Sequence, residues 1–110
     1  MKNAGLSELE ELTLLIVVTL GPDAYGVPIQ AKLEKDARRP VALGAVYAAL
    51  DRLERKGYAT SAFGEATPQR GGKRKRMFAA TSQGLRVLRE ARLTRERLWR
   101  ALEAEGASRR

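Results

Sequence analysis

Arg70, Lys73, Arg74, Lys75 and Arg76 crowd into the stretch from Gly64 to Arg76, between glycines and a proline that read as a turn. Cations so placed suit one chemistry, the neutralisation of phosphate, although a solvated loop has the same composition. Upstream, the Arg52 guanidinium can take guanine or phosphate in bidentate fashion, or it can pair with the acidic residues beside it. Arg38 and Arg39 fall where a flanking stretch of backbone would lie within their reach. The chain has no histidine and no cysteine, so the usual general base and the thiolate and imidazole zinc ligands are missing. Gly71-Gly72-Lys73 lacks the preceding strand and the spacing of a nucleotide-binding loop. These residues argue against an enzyme, and neither a metal nor a cofactor is expected.

The whole chain carries the same message. Its 110 residues suffice for one core, and a net charge of +8 attracts polyanions, nucleic acid or an acidic membrane. RNA is the poorer fit, because Phe63 and Phe78 sit in alternating, strand-like segments and exposed aromatics do not interleave with the cations. A protein-interaction module is the other alternative, although it would have no use for a glycine-flanked cationic tip. The apolar run Leu12–Leu20 is too short for a bilayer, which needs about 20 residues. The first residues lack the apolar core of a signal peptide, so the cytoplasm is the expected location.

The element that would present the chemistry is Leu43–Gly57. Leu43, Val46, Ala49, Leu50 and Leu53 gather on one side of a helix, with Gly44, Ala48, Asp51, Arg52 and Arg55 opposite. Gly57 is placed to end it in a left-handed turn. Gly44, Ala45 and Ala48 leave the first half of the outer face nearly bare. Such a face admits close approach, either of another helix or of a DNA groove, and Gly44 and Ala48 are expected to meet the groove. A second helix, from about Ala24 to Asp36 with Asp23 as cap and Pro28 in its first turn, precedes it across Arg38-Arg39-Pro40. Two helices joined by a tight turn make a helix-turn-helix.

The flanks follow from capping and periodicity. Ser7 and Glu10 form a capping box for a first helix, whose glutamates Glu8, Glu10 and Glu11 suit the positive end of its dipole. That helix is apolar around much of its circumference, which predicts a second partner such as another protomer, reached through Leu12, Leu14 and Val17. Residues 58–63 and 77–80 alternate as two strands of a hairpin whose tip is the cationic stretch. Thr81 caps a last helix, Ser82 to about Ala104, followed by a frayed tail over 105–110. A helix that long on so small a body reads as a dimer arm, with Leu85, Leu88, Ala91, Leu98, Trp99 and Leu102 as its seam. Its arginines would be solvated or would pair with the acidic first helix of the partner. The expected architecture is mainly α with a small β-hairpin: a winged helix-turn-helix over residues 1–81, a dimerisation helix over 82–104 and a disordered tail over 105–110.

Over roughly residues 9–104 the sequence resembles the PadR family of bacterial transcriptional regulators. The likeness is carried by Tyr25-Gly26, by Gly44-Ala45-Val46-Tyr47 leading into Leu50-Asp51-Arg52-Leu53-Glu54-Arg55-Lys56-Gly57, and by Arg76-Met77-Phe78-Ala79-Ala80-Thr81-Ser82-Gln83-Gly84. The resemblance implies a homodimeric winged helix-turn-helix repressor of the branch with a single short final helix, whose third helix and wing meet double-stranded operator DNA. It also supports a role for Tyr47, its ring packed and its hydroxyl reaching a phosphate. A flat aromatic ligand at the dimer centre beside Trp99 is implied as a further possibility, against plain packing of that ring. The chain departs from the family pattern at Ala42 and Ala45, which replace a polar cap and a hydroxyl residue, at Ala48 in place of a proline, and at Met77 and Phe78 in place of an aromatic pair.

Overall fold

The computed structural model describes residues 5–64 and 74–108. In chain order it contains α1 (Glu8–Leu20), a 3-10 turn (Gly21–Asp23), α2 (Gly26–Lys35), α3 (Leu43–Arg55), β1 (Ala59–Phe63), β2 (Arg76–Ala80) and α4 (Ser82–Ser108). The fold is mainly helical with one antiparallel hairpin, as the periodicities predict.

The capping box at α1 is complete: the Glu10 amide donates to Ser7 Oγ at 3.2 Å, and the Ser7 amide donates to Glu10 Oε1 at 3.0 Å. The start of α2 differs from expectation. Asp23 closes the 3-10 turn, and the cap residue of α2 is Tyr25, whose side chain makes no capping bond. Gly26, the first helical residue, lies under the ring and hydroxyl of Tyr47 from α3, where any Cβ would overlap them. The start of α2 is thus packed against α3 and has no acidic side-chain cap. Between α2 and α3, Arg38 adopts φ +54°, and the Arg39 amide reaches back to the Leu33 carbonyl at 2.8 Å.

Helix α3 begins at Ala42 without a side-chain cap and ends as its glycine predicts. Gly57 has φ +83°, while the Tyr58 and Gly57 amides donate to the carbonyls of Leu53 and Glu54, the paired bonds of a Schellman ending. Strand β1 pairs with β2 in the register Ala59–Ala80, Ser61–Phe78 and Phe63–Arg76, and the Phe78 amide donates to the Ala24 carbonyl at 2.8 Å. The hairpin is therefore tied to the turn before α2. Thr81 accepts from the Gly84 amide as predicted and donates to the Gly57 carbonyl at 2.7 Å.

Leu14, Val17, Ile29, Leu33, Val46, Leu50 and Leu53 form the centre of one core, joined by Tyr58, Ala59, Phe78 and Leu88. This corrects the interface expected on α1: Leu14 and Val17 are fully enclosed within the protomer, because α1 is wrapped by α2, α3 and β2, and they have no surface left for a partner. The uncovered apolar residues of α1 are instead Leu15 and Val18. Helix α4 continues through Ser108, where a frayed tail was expected from 105; alanine, leucine and glutamate favour continuation and no breaker intervenes before Gly106. Beyond Leu88 none of residues 89–106 is buried; α4 still lies against α1 as far as Arg95, which pairs with Glu11, and its last turns project past that contact.

Candidate nucleic-acid interface

The outer stripe of α3 starts at Gly44, where a Cβ would meet nothing within 4 Å. It continues through exposed Ala48 to exposed Arg55, which forms no ion pair among the described residues. Asp51 and Arg52 lie between them, half-buried. Tyr47 is half-buried at the edge of this face, its hydroxyl over Gly26 at the start of α2. At Gly44, in the first turn of α3, the outer side therefore lies open to close approach by another surface.

Several cations named from the sequence are engaged inside the protomer. Glu10 is almost completely buried between α1 and α3 and receives Arg52 Nε and Lys56 Nζ, each at 2.7 Å. Burial alone would raise its pKa, but hydrogen bonds from Lys56, from the Ser7 amide and from Arg52 outweigh desolvation and hold it down at about 2. Arg39 reaches Glu8 at 2.8 Å. On α4, Arg95 pairs with Glu11 at 2.7 Å within the same chain, rather than with a partner's first helix, and Arg92 and Arg100 flank Glu96. Each of the three glutamates that open α1 thus holds a cation from a distant segment. From the sequence Glu10 was legible only as a cap, because its partners lie 42 and 46 residues away.

The base of the wing stands beside this face. Arg74 lies 5.5 Å from the Phe63 ring centroid, and Lys75 Nζ lies 4.7 Å from that of Tyr25. These are cation–π contacts, and among the described residues neither cation has a carboxylate partner. Arg76 differs, turning inward to Asp51, Glu54 and Ser61. Arg38 is exposed in the α2–α3 turn. Arg70 and Lys73 lie outside the described residues. Arg55, which the sequence placed on the outer face without a role, is the residue the structure adds to the set. Among the described residues no group of acids could hold a metal ion, and no helix is long and apolar enough to cross a membrane.

A helix-turn-helix with a bare outer face on its second helix and a cationic hairpin against it can be compared with known families, and the model of the transcriptional regulator PadR-like family matches residues 14–90, more than half the chain. The chain belongs to that family. This PadR-like regulator is similar to the X-ray structure of a PadR-like transcription factor from Bacteroides fragilis, with 27% identity and a TM-score of 0.74 over 87% of each chain. It is likewise similar to a PadR family transcriptional regulator from Eggerthella lenta, with 27% identity and a TM-score of 0.66 over 88% of this chain and 84% of that one. A PadR-like regulator from Bacillus cereus shares the fold at 21% identity and a TM-score of 0.69, over 87% of this chain and 88% of that one. No curated protein sequence matches the chain. Membership places this regulator among DNA-binding transcription factors.

Along α1 and α4 the regulator carries a second uncovered surface. Leu85, Leu98, Trp99 and Leu102 are exposed on α4, with Leu85 beside Val18 and Trp99 beside Leu15 of α1, whereas Leu88 is nearly buried and Ala91 half-covered. Leu12 is half-covered and packed on the core. A shallow hollow of about 340 Å³ beside Trp99 is lined by Leu15, Leu88 and Arg92 among others.

Proposed function

We propose that this PadR-like regulator acts as a homodimeric repressor in the cytoplasm, holding a two-fold operator through the outer face of α3 and the cationic wing of each protomer. The observation that carries the reading is the bare stripe Gly44, Ala48 and Arg55 beside Arg74 and Lys75, where a backbone can approach a groove while flanking cations meet phosphate. Lys73 and Arg70, which lie in sequence between the two strands, extend the phosphate contact, and Arg38 and Arg39 meet the backbone on the other flank. Tyr47 brings its hydroxyl to a phosphate from the edge of α3. Arg52, with Nε given to Glu10, has further guanidinium N–H groups, unengaged among the described residues, for a base edge or a phosphate.

Dimerisation is supported by the projecting α4, whose exposed Leu98, Trp99 and Leu102 have no cover in the protomer. Residues 1–81 serve as the DNA-binding unit and α4 as the arm that sets the half-site spacing. A flat aromatic effector beside Trp99 belongs to the same reading, stacking on the ring at the dimer centre.

Selection of bound duplexes from a random pool tests the proposal, and a two-fold repeated site is the expected product. Each phosphate contact adds about −0.9 to the slope of log affinity against log salt, so Lys73→Ala or Arg74→Ala should flatten that slope by roughly one unit. An unchanged slope removes the wing from the interface; no duplex binding in dilute buffer removes DNA as the target.

A further inference from the structure

Arg76 opens β2 immediately after the wing, and its guanidinium faces the protein. Nε donates to Ser61 Oγ on β1 at 3.0 Å, Nη1 to Asp51 Oδ1 on α3 at 3.4 Å, and Nη2 to Glu54 Oε1 on α3. Ser61 in turn donates to Glu54 Oε2 at 2.8 Å, so both strands are bonded to one carboxylate. The guanidinium carbon stands 4.9 Å from the ring centroid of Phe78, itself part of the core. Asp51 and Glu54 occupy consecutive turns of α3, between Ala48 and Arg55 in sequence.

We propose that Arg76 is a positioning residue that fixes the tilt of the wing on α3, so that sequence discrimination depends on it while phosphate attraction does not. The proposal rests on the reading of α3 and the wing as the DNA-binding face. A two-stranded ribbon is marginal alone and has no intrinsic orientation on the helix beside it. Three bonds from one planar, rigid fork supply that orientation, which a lysine ammonium cannot reproduce. The charge of Arg76 is meanwhile balanced by two carboxylates, whereas Arg74 and Lys75 have none among the described residues, so at Arg76 a phosphate would have to displace bonds already made. Base edges are read from α3 and phosphates are held by the wing. The angle between the two elements therefore decides whether both can engage the same duplex.

The test compares the full-length protein with Arg76→Lys, Arg76→Gln and Glu54→Gln. Affinities for a duplex selected from a random pool and for a random duplex of equal length are measured by anisotropy at several salt concentrations. Amide hydrogen exchange is recorded on the free proteins. Arg76→Lys and Glu54→Gln should each lose about tenfold of the discrimination between the duplexes, with the salt slope on the random duplex unchanged and with faster exchange in β1 and β2. The proposal is overturned if Arg76→Lys keeps full discrimination, if Arg76→Gln weakens both duplexes equally while flattening the slope by about one unit, or if exchange in the hairpin is unaltered. Should the wild type bind neither duplex, the DNA reading fails, and the exchange measurement still decides whether Arg76 holds the wing.

Discussion

Replacing Glu10 by glutamine puts the buried carboxylate between α1 and α3 to a quantitative test. In the folded chain Glu10 holds its proton only below about pH 2, against an ordinary value of 4.5. Because the folded value is the lower, the ionised form stabilises the fold above pH 4.5, and that contribution is lost as pH falls from 4.5 towards 2. The shift corresponds to about 3 kcal/mol, reduced towards about 2 because Arg52 is partly exposed and solvent screens that arm. Glu10→Gln keeps the length of the side chain and removes the charge. Urea unfolding at a fixed protein concentration, repeated from pH 7 down to pH 3, should place the variant about 2–3 kcal/mol below the wild type at pH 7. The gap should fall by more than half by about pH 3. Asp36, which Lys32 also holds below its ordinary value, titrates equally in both proteins and cancels in the difference. Curves that stay parallel between pH 7 and pH 3 would refute the idea that Glu10 is held ionised by α3.

Other substitutions separate packing from binding. Gly84 lies against the Tyr58 carbonyl, so a Cβ there meets backbone that cannot yield; Gly84→Ala should cost about 2–3 kcal/mol in chemical denaturation. Gly44 faces open space, so Gly44→Ala should stabilise the helix by up to about 1 kcal/mol, while Gly44→Leu should weaken duplex binding in anisotropy with no loss of melting temperature. Thr13 is fully buried with its hydroxyl unpaired among the described residues. Thr13→Val should therefore raise stability by about 1 kcal/mol in the same unfolding assay, and a loss would show that the hydroxyl has a partner. Leu98→Asp should shift sedimentation towards monomer and move the emission of the single tryptophan, Trp99, to the red; unaltered sedimentation would place the dimer seam elsewhere.

What the sequence determined by itself was everything that depends on near neighbours. The Ser7–Glu10 box, the left-handed stop at Gly57 and the Thr81 cap each bond groups within five residues in the chain, and helical or alternating periodicity follows from backbone geometry alone. The helix-turn-helix, the hairpin and the bare face of α3 were legible for that reason. Tertiary structure decided which of two apolar faces and which of many charges would be used. Leu14 and Val17 read like Leu15 and Val18, since all four lie on an apolar helix, and only the packing of α2, α3 and β2 encloses the first pair. The cap of α2 is Tyr25 because the 3-10 turn takes up Asp23, and Tyr47, from another helix, packs over Gly26, which follows the cap. Arg52 and Arg76 resemble any surface arginine in sequence; Glu10, Asp51 and Glu54 claim them only after the chain has folded. A charge has no periodicity that names its partner, and across tens of residues only the path of the backbone sets the distance on which the attraction depends.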